Sequence, residues 1–538
     1  MGAGLLAVAV TGGLSFGVVG AGAAAAAAAP EPGNASVPVP SVKGPIEPSS
    51  KLSLLGSTLF PLTKVGYEQN EFFLSGTADS YTSATPLAKN GKWHVSVATK
   101  AAYTTRVVVY RPTDPKRFDG TVVVEWLNIT GGVDAAAAWL QSHEQMIRDG
   151  VAYVGVDAQA GGISGESGSI GASAEVGGGG LKGTDPARYD VLNHPGDSYS
   201  YSVYQQVGNA VHADGSKLLD GLVPKHVMAL GESQSAFRLT TYIDALQKTS
   251  PGIYDSYFVY SRGGNGANLS QVPLQTIPTP TPTLIRTDLH VPVFLFETET
   301  DVLGLGYLAA RQPPTAYIRE WEVAGASHDD SYGVQYSRTD DGSGAADTQA
   351  FDSMLDPSAD PIPGIVSCSA PINSASHTYE LRAAIAAVNR WMLTGTPPPQ
   401  SQRLDVAAGG THYVTNAQGN ALGGIRTPQV VAPVAKLSGL GQPGSTIGTP
   451  QSKTGSVNLS ASQICDIFGT TVPFSASELA ALYPTHADFV KKWDSAVAAL
   501  VKEHYLLKAD ATTLDRVAAA SQVGHSGTTG SSTTTTSS

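Results

Sequence analysis

A serine hydroxyl becomes a nucleophile when a base takes its proton and a third group orients that base. Three places in this 538-residue chain offer such groups in series. The first is "MALGESQSAFRL", Met228 to Leu239, where an apolar run meets Gly231, a polar tetrad and then a helical pattern. Polar side chains at such a junction are either hydrogen-bonded or put to use. Ser233 is the candidate nucleophile; read structurally, it is a helix N-cap, a role that serine fills well. The second place is "VPVFLFETETDVLG", an apolar run ending in acids. Asp301 is the candidate orienting acid, with Glu299 and Glu297 as competitors. The third is "REWEVAGASHDD", a strand-like run and a small-residue turn leading to His328, the candidate base. Serine, acid, histidine is the chain order of a triad built on strand ends.

"GESQS" resembles the G-x-S-x-G nucleophile elbow, with Ser235 in place of the final glycine. An elbow needs small residues so that strand and helix can approach, and serine is small enough. Acyl transfer also needs N–H donors aimed at the developing oxyanion. The residue after the nucleophile, Gln234, supplies one from its backbone; "VVVEWLNITGG" supplies the second near Asn128 or Ile129.

The elements that must position these groups alternate. "TTRVVVYRP", "GTVVVEWLN", "VAYVGVDAQ", "KHVMALGES", "DSYFVYSRG", "VPVFLFETE" and "YIREWEVAG" read as strands. Several are unbroken apolar runs, as in strands buried on both faces of a parallel sheet. Helical patterns fall at 134–149, 201–219 and 235–248. Strand–helix–strand repetition predicts an α/β chain with a mostly parallel, doubly wound sheet. The Gly/Ser-rich stretch at about 160–200 is too long for a simple connection and reads as an insertion, part of a lid over the site. Core is expected over 51–335, and a mainly helical extension, with helices at 377–393 and 486–503, over 336–523. A Ser/Thr/Gly tail, 524–538, is expected to carry no structure.

Composition narrows the function. Hydrophobic content of 41% with 14% charged residues is that of a globular chain. A net charge of −12, without a Lys/Arg run, argues against a nucleic-acid or anionic-membrane partner. The first charged residue is Glu31, after a small, apolar leader ending in alanines. Residues 1–29 therefore read as a signal peptide and 30–50 as a linker, placing the mature chain outside the cell or in its envelope without stable membrane insertion. The two cysteines, Cys368 and Cys465, are expected to pair there; two buried thiols are the alternative. They do not make a structural zinc site.

On "VVVEWLNITGGVDAAAAW", "DPARYDVLNHPGDSYSYSVYQQ", "GESQSAFRLTTYIDAL", "FETETDVLG", "REWEVAGASHDD" and "GGIRTPQVVAPVAKLSG", the chain resembles the α/β-hydrolase superfamily. More narrowly, it resembles exported bacterial "alpha/beta hydrolase domain" proteins, in which G-x-S-x-S is the usual elbow. The resemblance implies an α/β-hydrolase fold. The expected activity is a secreted serine hydrolase acting on a small-molecule or lipid ester, with no metal and no organic cofactor. An acyltransferase on an envelope lipid or sugar, and a silent binding protein on the same scaffold, are the other readings. "GGIRTP" returns Arg426 toward the site as a substrate contact, or leaves it paired with a surface carboxylate.

Overall fold

The computed structural model describes residues 37–47, 54–165, 179–362, 366–446, 451–452, 455–456 and 461–525. The expected signal peptide, most of the tail and residues 166–178 of the insertion lie outside them. Seven apolar runs form the strands expected of them: β3 (Ser96–Pro112), β4 (Thr121–Trp126), β5 (Ala152–Val156), β6 (His226–Glu232), β7 (Ser256–Tyr260), β8 (Val293–Thr298) and β9 (Ile318–Ala324). Two strands precede them, β1 (Ser41–Lys43) and β2 (Tyr67–Thr82), and β10 (Val366–Cys368) and β11 (Ile425–Arg426) follow. All but β10 join one sheet in the order β1-β2-β3-β5-β4-β6-β7-β8-β9-β11. From β5 to β11 neighbours run parallel; β1, β2 and β3 close the other end antiparallel. The sheet is thus mostly parallel.

Up to residue 394 the α-helices among the described residues are α1 (Ala137–Asp149), α2 (Ala160–Ser164), α3 (Gly180–Thr184), α4 (Pro186–Tyr189), α5 (Ser200–Leu218), α6 (Gln234–Leu246), α7 (Ala345–Asp352) and α8 (Thr378–Thr394). Alternation along β4 sorts them onto two faces. Glu125 points toward α1, accepting the backbone N–H of Ala138 at 2.9 Å. Trp126 points the other way, its ring 4.8 Å from that of Tyr204 on α5. Tyr204 in turn meets Tyr242 of α6, at 5.8 Å between rings. The sheet is doubly wound, and its central strands are buried on both faces as their unbroken apolar sequence requires.

The C-terminal part is mainly helical and shares the core. α8 lies beside α1 and over β6, β7 and β8, and β11 extends the sheet. Helices His486–Glu503 and Lys508–Ala520 carry Phe489, Trp493 and Leu514 into the same hydrophobic cluster as Val123 and Val154. Cys368 and Cys465 form a disulfide across 97 residues, enclosed by Val366, Ile372, Ile464 and Phe468. Within the segment read as a linker, Ser41–Lys43 is the strand β1, paired with Phe73–Ser75 of β2. Three residues are too few to leave a periodic signature, and only the long neighbour gives them a ladder. No helix among the described residues is long and apolar enough to cross a membrane.

Candidate active site

β6 ends at Glu232 and α6 begins at Gln234, leaving Ser233 alone to turn the chain. Its φ of 53° and ψ of −121° lie in a region that side chains rarely occupy, a strain found where a site needs one residue lifted out. The Ser233 N–H donates to the Tyr260 carbonyl at 2.9 Å, which locks the turn to β7. Close packing explains the flanking residues. A Cβ on Gly231 would lie 2.7 Å from the Ser235 carbonyl, so no side chain fits there. Ser235 is fully buried and its hydroxyl donates to the Leu127 carbonyl at 3.2 Å, so a serine serves where the motif's glycine would stand.

The parallel strands carry all three candidate groups to one rim. His328 Nε2 lies 2.8 Å from Ser233 Oγ, and its Nδ1 lies 2.6 Å from Asp301 Oδ1. Asp301 is fully buried; its Oδ2 accepts the backbone N–H and the hydroxyl of Thr298 at 2.6 and 2.8 Å. The Thr300 hydroxyl accepts the His328 backbone N–H at 2.9 Å, fixing the turn that presents the ring. Ser233 is half-buried, whereas His328 is only 4% exposed.

Glu299, the alternative acid, is turned away. It accepts the N–H groups of Gly325 and Gly439 at 2.6 and 2.8 Å and so ties the ends of β8, β9 and the strand Ala435–Ser438 together. The chain turns into a wide helical turn at Thr300–Gly304, and residues two apart in such a turn point to nearly opposite sides, so only one of the two acids can face the imidazole. Burial pushes the Glu299 carboxyl up to about 7. Glu297, the other competitor, is fully buried within β8.

Of the expected oxyanion donors, Gln234 carries its N–H at the first position of α6, where no intrahelical acceptor exists. The Asn128 N–H is not a donor for substrate: it is bonded to the Ala135 carbonyl at 2.9 Å in a small loop bridge. The Ile129 N–H does face the elbow, donating to the Gln234 side-chain Oε1 at 3.3 Å. Arg426 stands at the end of β11, and the bond it makes is local, to the Val430 carbonyl at 3.4 Å.

One neighbour carried no role in the sequence reading. Glu232, in the motif itself, is 8% exposed and places Oε1 3.2 Å from His328 Nε2. Its Oε2 accepts the Asn128 side-chain amide at 2.8 Å. Burial disfavours charge on His328, but Asp301, then Glu232 and Asp329, outweigh it and push the imidazole up to about 9. Burial raises Glu232 while His328 opposes the rise. Asp329 is pushed up to about 7 by burial and by Asp330 beside it.

Among the described residues, Glu144, Asp340 and Asp347 lie close enough to share a cation. Arg382 already sits among them, with Nη1 2.6 Å from Glu144 and Nη2 3.1 Å from Asp340, so a guanidinium supplies the countercharge.

The family model described as alpha/beta hydrolase domain matches residues 42–516. This chain belongs to that alpha/beta hydrolase family. A search of curated proteins found no match. Solved structures similar to it include a putative carboxylesterase from Lactobacillus plantarum, at 11% identity over 44% of this chain and 79% of that one, with a TM-score of 0.23. An esterase from Rhizomucor miehei matches at 12% identity over 47% and 75% of the two chains, with a TM-score of 0.24. EstA of Aspergillus niger matches at 15% identity and a TM-score of 0.18, over 29% of this chain and only 26% of its own. The hydrolase fold of this chain rests on the family match and on its own topology.

Proposed function

We propose that this alpha/beta hydrolase cleaves carboxylic esters through an acyl-enzyme. The observation that carries the reading is the line from Ser233 Oγ through both nitrogens of His328 to Asp301, two contacts of 2.8 and 2.6 Å. Ser233 attacks the ester carbonyl while its proton passes to His328 Nε2; that proton then goes to the leaving alcohol oxygen as the C–O bond breaks. Water repeats the cycle on the acyl-enzyme and releases the acid. Asp301 holds the Nδ1–H tautomer and balances the imidazolium charge. The backbone N–H groups of Gln234 and Ile129 receive the oxyanion, which takes the place of the Gln234 amide oxygen at Ile129. The substrate is a small-molecule or lipid ester, and the alanine-rich leader and the paired cysteines support an exported site of action.

Labelling of the purified chain with a fluorophosphonate, mapped by mass spectrometry beside p-nitrophenyl esters of graded length, tests this. The expected result is an adduct on Ser233, lost in His328→Ala, with ester turnover. A folded protein with neither adduct nor turnover sinks the reading.

A further inference from the structure

His328 Nε2 has two partners within reach, the Ser233 hydroxyl at 2.8 Å and Glu232 Oε1 at 3.2 Å. The second is held there by design of the loop opposite. The Asn128 amide donates both to Glu232 Oε2, at 2.8 Å, and to the Glu232 carbonyl, at 3.2 Å. The Asn128 Oδ1 in turn accepts the Thr130 N–H at 2.7 Å. The Asn128 side chain therefore fixes a carboxylate against the working nitrogen of the base.

We propose that Glu232 is a positioning residue, the second carboxylate of the His328 imidazole on the side facing the nucleophile, and that it sets the pH at which His328 becomes a competent base. The inference rests on the reading of Ser233 and His328 as nucleophile and base. An imidazolium between two carboxylates is stabilised from both nitrogens, so its proton leaves later than with Asp301 alone. The charged and titratable groups facing the ring are Asp301 from the turn after β8, Glu232 from β6 and Asp329 from the ring's own loop. Glu232 is faced in addition by His377 at the start of α8. Within the catalytic step Glu232 gains and loses no proton. Once Ser233 Oγ is bonded to the acyl carbon, the Nε2–H has lost that partner, and Glu232 Oε1 keeps it oriented until the leaving alcohol takes the proton.

The test is the rate of fluorophosphonate capture at Ser233 in the full chain, followed across the neutral and alkaline range. Capture requires neutral His328, so the wild-type rate is expected to climb through about pH 9. In Glu232→Gln that limb moves down by about one unit, giving about tenfold faster capture near neutral pH. Glu232→Asp keeps the charge one methylene farther off and moves the limb less, in the same direction; it carries the test should the Gln variant not fold. A clamp that merely shaped the Asn128 loop would lower the rate at every pH and leave the limb in place, and an unmoved limb in a folded variant overturns the proposal. If wild-type Ser233 takes no label at any pH, the hydrolase reading falls. The His328 ring titration by NMR in the same three proteins then decides whether Glu232 holds its proton.

Discussion

Two carboxylate–imidazole pairs lie side by side in this molecule. Asp301 and His328 meet at 2.6 Å, and the far nitrogen of His328 reaches Ser233. Asp330 and His377 meet at 3.1 Å, and the far nitrogen of His377 reaches the Tyr260 hydroxyl. Both pairs are buried, and both end on a hydroxyl. The difference is that hydroxyl. Ser233 stands half-buried on a strained turn at the sheet rim, next to the first N–H of a helix. Tyr260 is buried in β7, and burial holds its phenol well above the ordinary range. A carboxylate and an imidazole make a reactive site only where substrate can reach the third group and an oxyanion has donors. The second pair joins α8 to the sheet.

The largest expected contrast comes from cutting each line. Ser233→Ala or His328→Ala should reduce ester turnover by about 10⁴-fold or more with the thermal midpoint little changed. His377→Phe leaves the Tyr260 hydroxyl without its partner, while Asp330 keeps the backbone N–H groups of Gly333 and residue 377, and should cost about 1–3 kcal/mol of stability, read by urea unfolding. Turnover per folded molecule in that variant should stay within about tenfold of wild type, and a loss as deep as that of His328→Ala would erase the distinction between the pairs.

A finer cut separates the two acids that follow β8. Asp301→Asn should lower kcat by about 10⁴-fold through the wrong imidazole tautomer. Glu299→Gln loses one of two backbone bonds, costing about 1–2 kcal/mol with kcat within a few-fold.

pH should divide activity from stability. On the proposed mechanism turnover is expected to need neutral His328 and to rise through about pH 9. Buried Glu299 and Glu125, pushed up to about 7, and Glu380, pushed up to about 8, bind protons more tightly folded than unfolded. Their contribution is complete below about 4.5, the unfolded value, and is lost as pH rises through 7 and 8. The urea midpoint should therefore be lower at pH 8.5 than at pH 5 by the equivalent of a few kcal/mol, a sign opposite to that of activity. The smallest effect on chemistry belongs to the disulfide. Cys368→Ala with Cys465→Ala should cost about 2–4 kcal/mol and leave Ser233 labelling intact.

Much of this was legible in the chain. Strands β3 to β9 announce themselves because burial on two faces demands unbroken apolar runs, and the elbow because a serine between strand and helix needs small neighbours. β2 hid behind "YEQNEFFLSGTADSYT", where polar residues and Gly76 interrupt any period, though it is sixteen residues long. β11, two residues, is a strand only because β9 lies alongside.

The sequence alone determined the order serine, acid, histidine, the strand ends that carry them and the chemistry those groups can do, since these follow from residue type and local periodicity. Tertiary structure alone decided that Asp301 rather than Glu299 meets His328, because helical rotation after β8 sends the two side chains opposite ways. It also decided that the Asn128 amide serves Glu232 and that Glu232 lies against His328. Those contacts join residues a hundred positions apart, and distance along a chain says nothing about distance across a sheet.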